Sequence, residues 1–217
     1  MSGEALDRPA EGAGQALWTS TVAFTACFAV WTIFSIIGLA IKDELGLSET
    51  EFGLLIGTPI LTGSLSRIVL GVWSDQFGGR RLFAAVMALS AGATFLTAYA
   101  DTYLELLVAA LGVGLAGGAF SVGVAYVSKF YPQGQQGTAL GVFGAGNVGA
   151  AVTKFVAPFV MVAMGWQAVA QIWAGALLVM AVAFLLLTRE DPAQEARRRE
   201  GRRVFGCLIR TTSRLRI

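Results

Sequence analysis

Six apolar stretches, at residues 17–41, 52–73, 82–100, 103–127, 137–162 and 166–188, run through this 217-residue chain with short gaps between them. Each is close to the roughly 20 residues that a helix needs to cross a bilayer. Only helices and closed barrels satisfy their backbone polar groups in hydrocarbon. The expected fold is therefore an all-α membrane protein, a bundle of six transmembrane helices. Composition supports this where it decides: 14% of residues are charged, against about 25% in a soluble domain.

Residues 1–16 are small and polar, with Pro9, and read as a flexible tail. The bundle is expected over 17–188, followed by a basic tail over 189–217. The first apolar run is too long for a cleaved leader. Glu4, Asp7 and Glu11 outnumber Arg8 before it, so it reads as a span. Lys and Arg set the orientation. Arg80 and Arg81 follow the second stretch, Lys129 follows the fourth, and nine of the 16 Lys/Arg lie from Arg189 onward. The gap after the first stretch holds Lys42 against Asp43, Glu44, Glu49 and Glu51, and the gap after the third holds Asp101 with no base. Both termini are expected in the cytoplasm, in a multi-pass protein of the inner (plasma) membrane. The basic tail, Arg197 to Arg203 and beyond, reads as a solvated segment that touches anionic lipid, not as a nucleic-acid site.

The chain has no His, which excludes His-based metal sites and His general bases. Cys27 and Cys207 suggest neither a disulfide framework nor a zinc site. No metal, cofactor or nucleophile–base pair is expected, and hence no enzyme.

Arg67 is the informative charge. It sits near the middle of the second stretch, in Pro59-Ile60-Leu61-Thr62-Gly63-Ser64-Leu65-Ser66-Arg67. A cation at that depth costs on the order of 2.5–3.5 kcal/mol on insertion scales and faces a cavity or a partner. No Asp or Glu lies mid-span to neutralise it, so the expectation is a site for an anion. Lys154, one or two turns beyond Asn147, faces either the same cavity or the bilayer surface. Many of the 27 glycines lie in the spans. Gly114/Gly118 and Gly137/Gly141 have the small-xxx-small spacing that lets helices approach closely, and glycine also admits a ligand to the backbone.

Two motifs give a family resemblance. The run Gly71-Val72-Trp73-Ser74-Asp75-Gln76-Phe77-Gly78-Gly79-Arg80-Arg81 resembles the Gly-x-x-x-Asp-x-x-Gly-x-Arg-Arg loop of the major facilitator superfamily. Gln76 and Gly79 stand where that pattern often has bases. The resemblance implies a conformational latch made by Gly71, Asp75, Gly78, Arg80 and Arg81; Asp75 is expected to cap a helix N-terminus and to pair with a base. The run Gly141-Val142-Phe143-Gly144-Ala145-Gly146-Asn147-Val148-Gly149 resembles the signature of the nitrate/nitrite porters (NarK-type) within that superfamily. Ser128-Lys129-Phe130-Tyr131-Pro132 and Lys154-Phe155-Val156-Ala157-Pro158 flank it. The resemblance covers residues 17 to 188. It implies nitrate and nitrite as substrates, with Arg67, Asn147, Gly144, Gly146, Phe120 and Phe28 at the anion; Phe28 is as readily a core residue, Phe120 less so. A planar guanidinium suits a small planar monoanion through its fork of donors. Without a membrane carboxylate, exchange of one anion for another is the expected drive; proton-linked uptake is the alternative and needs a titratable group elsewhere.

The family has two six-helix halves with the site between them, and this chain corresponds to one half. Three explanations are open: a truncated or frame-shifted product, a separately encoded second half, or a homodimer. The other functional readings are a half-carrier for a different small anion and a non-transporting remnant.

Overall fold

The computed structural model describes residues 8–192 and 194. Among the described residues, eight α-helices and one 3-10 turn build six rods. The first rod is α1 (Ala13–Trp31) and α2 (Phe34–Leu45); the second, third and fourth are α3 (Glu49–Phe77), α4 (Gly79–Thr97) and α5 (Tyr103–Ser128). The fifth is α6 (Gln133–Gly144) and α7 (Val148–Met164), joined by the 3-10 turn Ala145–Asn147, and the sixth is α8 (Trp166–Leu187). Five of the rods are long and apolar enough to cross a membrane. The rod formed by α4 is more polar, because it carries Arg80, Arg81, Ser90, Thr94 and Thr97. The last three are buried against the bundle, where Thr94 Oγ1 donates to Ser90 O at 2.7 Å.

Local chemistry sets the ends. Ser48 and Glu51 cap α3 reciprocally, as do Thr102 and Glu105 on α5. Between α3 and α4 the chain turns at Gly78 with φ +90°, and between α7 and α8 at Gly165 with φ +86°. Side chains disfavour both conformations.

Two breaks interrupt stretches that hydropathy makes continuous. At Thr32–Ile33 the hydroxyls compete for backbone: Thr32 Oγ1 reaches Phe28 O at 3.1 Å and Ser35 Oγ reaches Thr32 O at 2.6 Å. At Ala145–Asn147 the Asn147 amide donates to Gly144 O at 2.7 Å and a 3-10 turn replaces the α-helix. The bundle also starts earlier than expected. Helix α1 begins at Ala13, Ala13 and Ala16 are buried, and Ala10 N donates to Phe130 O at 2.8 Å. The expected tail boundary at residue 16 is therefore corrected to lie before Ala10. Residues 1–7 and the arginine-rich run Arg197–Arg203 lie outside the described residues.

Glycine lets α3, α5 and α1 meet at close range. A Cβ on Gly114 would lie 2.8 Å from Pro59 O, and one on Gly118 2.5 Å from Ser66 Oγ. Gly114/Gly118 is thus a packing face. Gly137/Gly141 is not one, since nothing lies within 4 Å of a Cβ at either position. That side of the fifth rod is open, as are Leu61, Leu65 and Ile68 on α3 and Phe155, Phe159 and Val162 on α7.

Helix α8 closes the bundle through polar and aromatic contacts. Trp173 Nε1 donates to Thr153 Oγ1 at 2.9 Å, and Thr153 Oγ1 donates to Ala29 O at 2.7 Å. Phe184 packs on Phe83 with centroids 4.9 Å apart. Thr153→Val keeps the shape and removes both hydrogen bonds, leaving the buried indole N–H unpaired. The expected loss is about 1–2 kcal/mol in detergent unfolding. An unchanged midpoint would mean that the relay does not hold α1, α7 and α8 together.

Candidate functional site

The α1 residues Phe24, Phe28 and Trp31 recur at helical spacing, so one face of α1 is aromatic. Phe28 stacks tilted on Phe24 (5.5 Å) and on Trp31 (5.1 Å). Phe24 also meets Phe120 of α5 at 5.4 Å and Phe143 of α6 at 4.9 Å. Trp31 fits its indole where two glycines leave room. A Cβ on Gly63 or Gly117 would come within 2.6 Å of it. Its N–H donates to Pro59 O at 2.8 Å, an acceptor inside the proline-bearing helix α3.

Arg67 reaches this cluster from α3. Its guanidinium carbon lies 5.6 Å from the ring centroids of both Trp31 and Phe120, within cation–π range. Its Nε donates to Gly117 O at 3.2 Å. Among the described residues Arg67 makes no ion pair. Among the described residues its terminal nitrogens have no protein acceptor. The side chain is thus aimed by aromatics and one carbonyl, with its forked donor face free. That arrangement can receive one small planar anion with paired hydrogen bonds.

The other sequence candidates are placed unequally. Phe120 touches Arg67 directly, while Phe28 reaches it through Trp31. Gly146 packs against α1, where a Cβ would come within 2.5 Å of Phe24 Cδ1 and 3.0 Å of Thr21 O. Gly144 has open space beside it. Asn147 is exposed, and among the described residues its one side-chain hydrogen bond is to Gly144 O. No contact joins it to Arg67. Lys154 is exposed on α7. Trp31, Phe24 and Phe143 were missed from sequence, although the α1 spacing of four and three residues carried a signal.

The second cluster lies at the end of the bundle that carries Arg80 and Arg81. Asp75 caps no helix; it pairs with Lys129 at 3.1 Å. Arg81 Nε pairs with Glu190 at 3.1 Å, and Arg80 lies 3.8 Å from the same carboxylate while donating to Leu185 O. Asp191 is fully buried, 3.7 Å from Lys129. Tyr126 Oη donates to Arg189 O at 2.6 Å. Gly79 meets Tyr126, and a Cβ there would come within 2.7 Å of it; Gly71 is more open, its nearest neighbour Ser121 at 4.0 Å. Glu190 and Asp191 were not anticipated. The start of the segment read as a tail is therefore stitched to the loop of α3 and α4.

Known proteins agree with this architecture. The model of the Major Facilitator Superfamily matches residues 19–215, and the chain belongs to that superfamily, a family of multi-pass membrane transporters. It is 39% identical over 204 residues to the probable nitrate/nitrite antiporter NarK1 of Thermus thermophilus, covering 88% of this chain and 45% of that protein. It is 35% identical to the nitrite extrusion protein of Bacillus subtilis, covering 76% of this chain and 41% of that protein. Among solved structures, an inward-facing, unoccupied bacterial homologue of the human lysosomal transporter Spinster superposes with a TM-score of 0.74. The identity there is 20%, over 84% of this chain and 44% of that one. The chain spans about half the length of the relatives it matches.

Proposed function

We propose that this chain is the N-terminal half of a carrier that exchanges nitrate and nitrite across the inner membrane, with both termini cytoplasmic. The observation that carries the reading is Arg67: a mid-membrane cation with no carboxylate partner among the described residues, braced between Trp31 and Phe120. The names borne by the relatives, a nitrate/nitrite antiporter and a nitrite extrusion protein, support the same substrates. Phe120 and Phe28 wall the anion, and Asn147, with Gly144 and Gly146 beside it, supplies a neutral donor when the second six-helix half covers the open face. Asp75, Arg80, Arg81, Gly71 and Gly78 form the latch at the cytoplasmic end, with Lys129 and Glu190 as its partners. A second six-helix half completes the carrier. Alternation between halves is what a site at the repeat interface requires.

The test is counterflow. Proteoliposomes of this chain, loaded with nitrite, should take up labelled external nitrate, and Arg67→Lys should abolish the uptake. Absence of exchange together with nitrate-specific thermal stabilisation would mark a half lacking its partner. Absence of both would overturn the nitrate reading.

A further inference from the structure

We infer that Lys154 is a second anion-binding residue of the transport path, a station for the same small monoanions beside the one at Arg67. The inference rests on the reading of Arg67 as the anion site and adds to it a cation on another helix. Depth is the first observation. The fifth rod ends at Met164, and Lys154 stands ten residues before that end, roughly 15 Å at 1.5 Å per residue. Side chains on a helix lean toward its N-terminus. Lys154 therefore leans away from Met164 and the near headgroups, toward Asn147 and mid-span, which puts a lipid phosphate out of its reach. Thr153, the residue before it, donates to Ala29 O at 2.7 Å. Two residues further along α1, Trp31 lies 5.6 Å from the Arg67 guanidinium carbon. Arg67 is on α3, which runs opposite to α7, and leans toward Gly63, where Trp31 is seated. The two cations thus converge on one level from opposite directions.

Direction is the second observation. Helix α3 packs on α5, α5 on α1 and α1 on α7, so the four form a row with Arg67 on one end helix and Lys154 on the other. On α7, Gly149, Thr153 and Ala157 make the stripe packed into the bundle. Asn147, Ala151, Lys154 and Pro158 recur at helical spacing on another side, and none of them is buried. Lys154 thus shares its face with Asn147. Charge is the third observation. Among the described residues Lys154 makes no ion pair, and no Asp or Glu lies mid-span to provide one. A lysine at this depth marks an ion pathway or a partner. Its ammonium is a point charge with three rotatable donors. It can hold a small anion without fixing the anion's plane, which suits a station passed through, whereas the fork of Arg67 makes the tighter site.

The test uses the fact that the chain has only three lysines, Lys42, Lys129 and Lys154. Reductive methylation with carbon-13 formaldehyde keeps each one charged and gives each an NMR signal. Lys42 and Lys129 are paired with Glu49 and Asp75 and serve as internal references. In the purified full chain in neutral detergent, sodium nitrate should move the Lys154 signal saturably, and sodium gluconate at matched ionic strength should not. Half-saturation is expected at about tenfold more nitrate than the thermal stabilisation that reports Arg67, the difference of one charge-assisted hydrogen bond. Lys154→Met assigns the signal and should leave the thermal stabilisation in place. In Arg67→Met the Lys154 shift should persist; Arg67→Gln serves if that variant does not fold. A Lys154 signal indifferent to nitrate, in a chain that nitrate still stabilises, would overturn the second station and leave Arg67 as the anion site. Loss of both responses would overturn both. A shift that disappears in the Arg67 variant would make one shared site and overturn the separate station, as would an equal shift with gluconate. A signal that moves on adding phosphatidylglycerol and not with nitrate would assign Lys154 to lipid phosphate and likewise overturn it.

Discussion

Arg67→Met should leave the empty chain about as stable as the wild type and make it indifferent to nitrate. The two effects have one origin. A methionine fills much the same channel as the aliphatic stem of arginine but carries no charge. Arg67 is a cation at membrane depth, compensated by two ring faces 5.6 Å away and one hydrogen bond to Gly117 O. The charge costs on the order of 2.5–3.5 kcal/mol at the centre of a span, whereas cation–π contacts return about 0.5–2 kcal/mol each. The terms nearly cancel, so removing the charge should change the unfolding free energy without ligand by no more than about 1 kcal/mol. In wild type, nitrate at a hundred times its dissociation constant should add about 2.7 kcal/mol, and that increment should vanish in the variant. Thermal unfolding in detergent, with nitrate against chloride at matched ionic strength, reads both numbers. A variant destabilised without ligand would make Arg67 a structural residue, and one still stabilised by nitrate would put the anion elsewhere. Arg67→Lys separates charge from shape: it keeps the cation and loses the fork, so an intact nitrate response would remove the bidentate argument.

The legibility of this molecule followed what hydropathy records. A run of about 20 apolar residues fixes a rod whatever its neighbours do, so the six rods were readable, and Arg67 stood out because a charge is conspicuous in such a run. Breaks inside a run leave no mark on hydropathy. Thr32 and Asn147 end helices through hydrogen bonds to nearby carbonyls, and each looks like one more small polar residue in a span. Aromatics were ambiguous for a related reason. In a soluble helix Trp31 would be placed inside by its hydrophobicity, but in a membrane helix lipid and core attract it equally. Only the missing side chains of Gly63 and Gly117, brought together from two other helices, reveal that it is seated beside Arg67. Glu190 and Asp191 were hidden by the basic run that follows them. The nitrate-type signature of the fifth rod was visible as a pattern, yet Gly146 and Gly149 turn out to face α1, while Gly141 and Gly144 face open space.

That division inside one motif leads to the largest expected change in stability. Gly149→Ala should destabilise the bundle strongly, while Gly141→Ala should be neutral or mildly stabilising. A Cβ at Gly149 would overlap the Thr25 carbonyl oxygen and lie 2.8 Å from Ala29 N. Both neighbours are backbone of α1, so no rotamer change relieves the clash, and α7 must move away. The movement pulls Thr153 from Ala29 O, 2.7 Å distant, and with it the Trp173 indole that donates to Thr153. Overpacking alone costs typically about 1–3 kcal/mol, and each severed interhelical bond adds about 0.6 kcal/mol; the sum is about 3 kcal/mol or more, a large part of the roughly 5–15 kcal/mol that keeps a domain folded. At Gly141 the Cβ meets nothing, and alanine in place of glycine favours a helix by up to about 1 kcal/mol. The same substitution eight residues apart thus has opposite signs in the isolated chain, measurable by thermal unfolding. Equal destabilisation by both would mean that the open side of the fifth rod is packed in the working protein, by a second half or a second copy. Neutrality of both would mean that α1 and α7 are not in the close contact on which the candidate site depends.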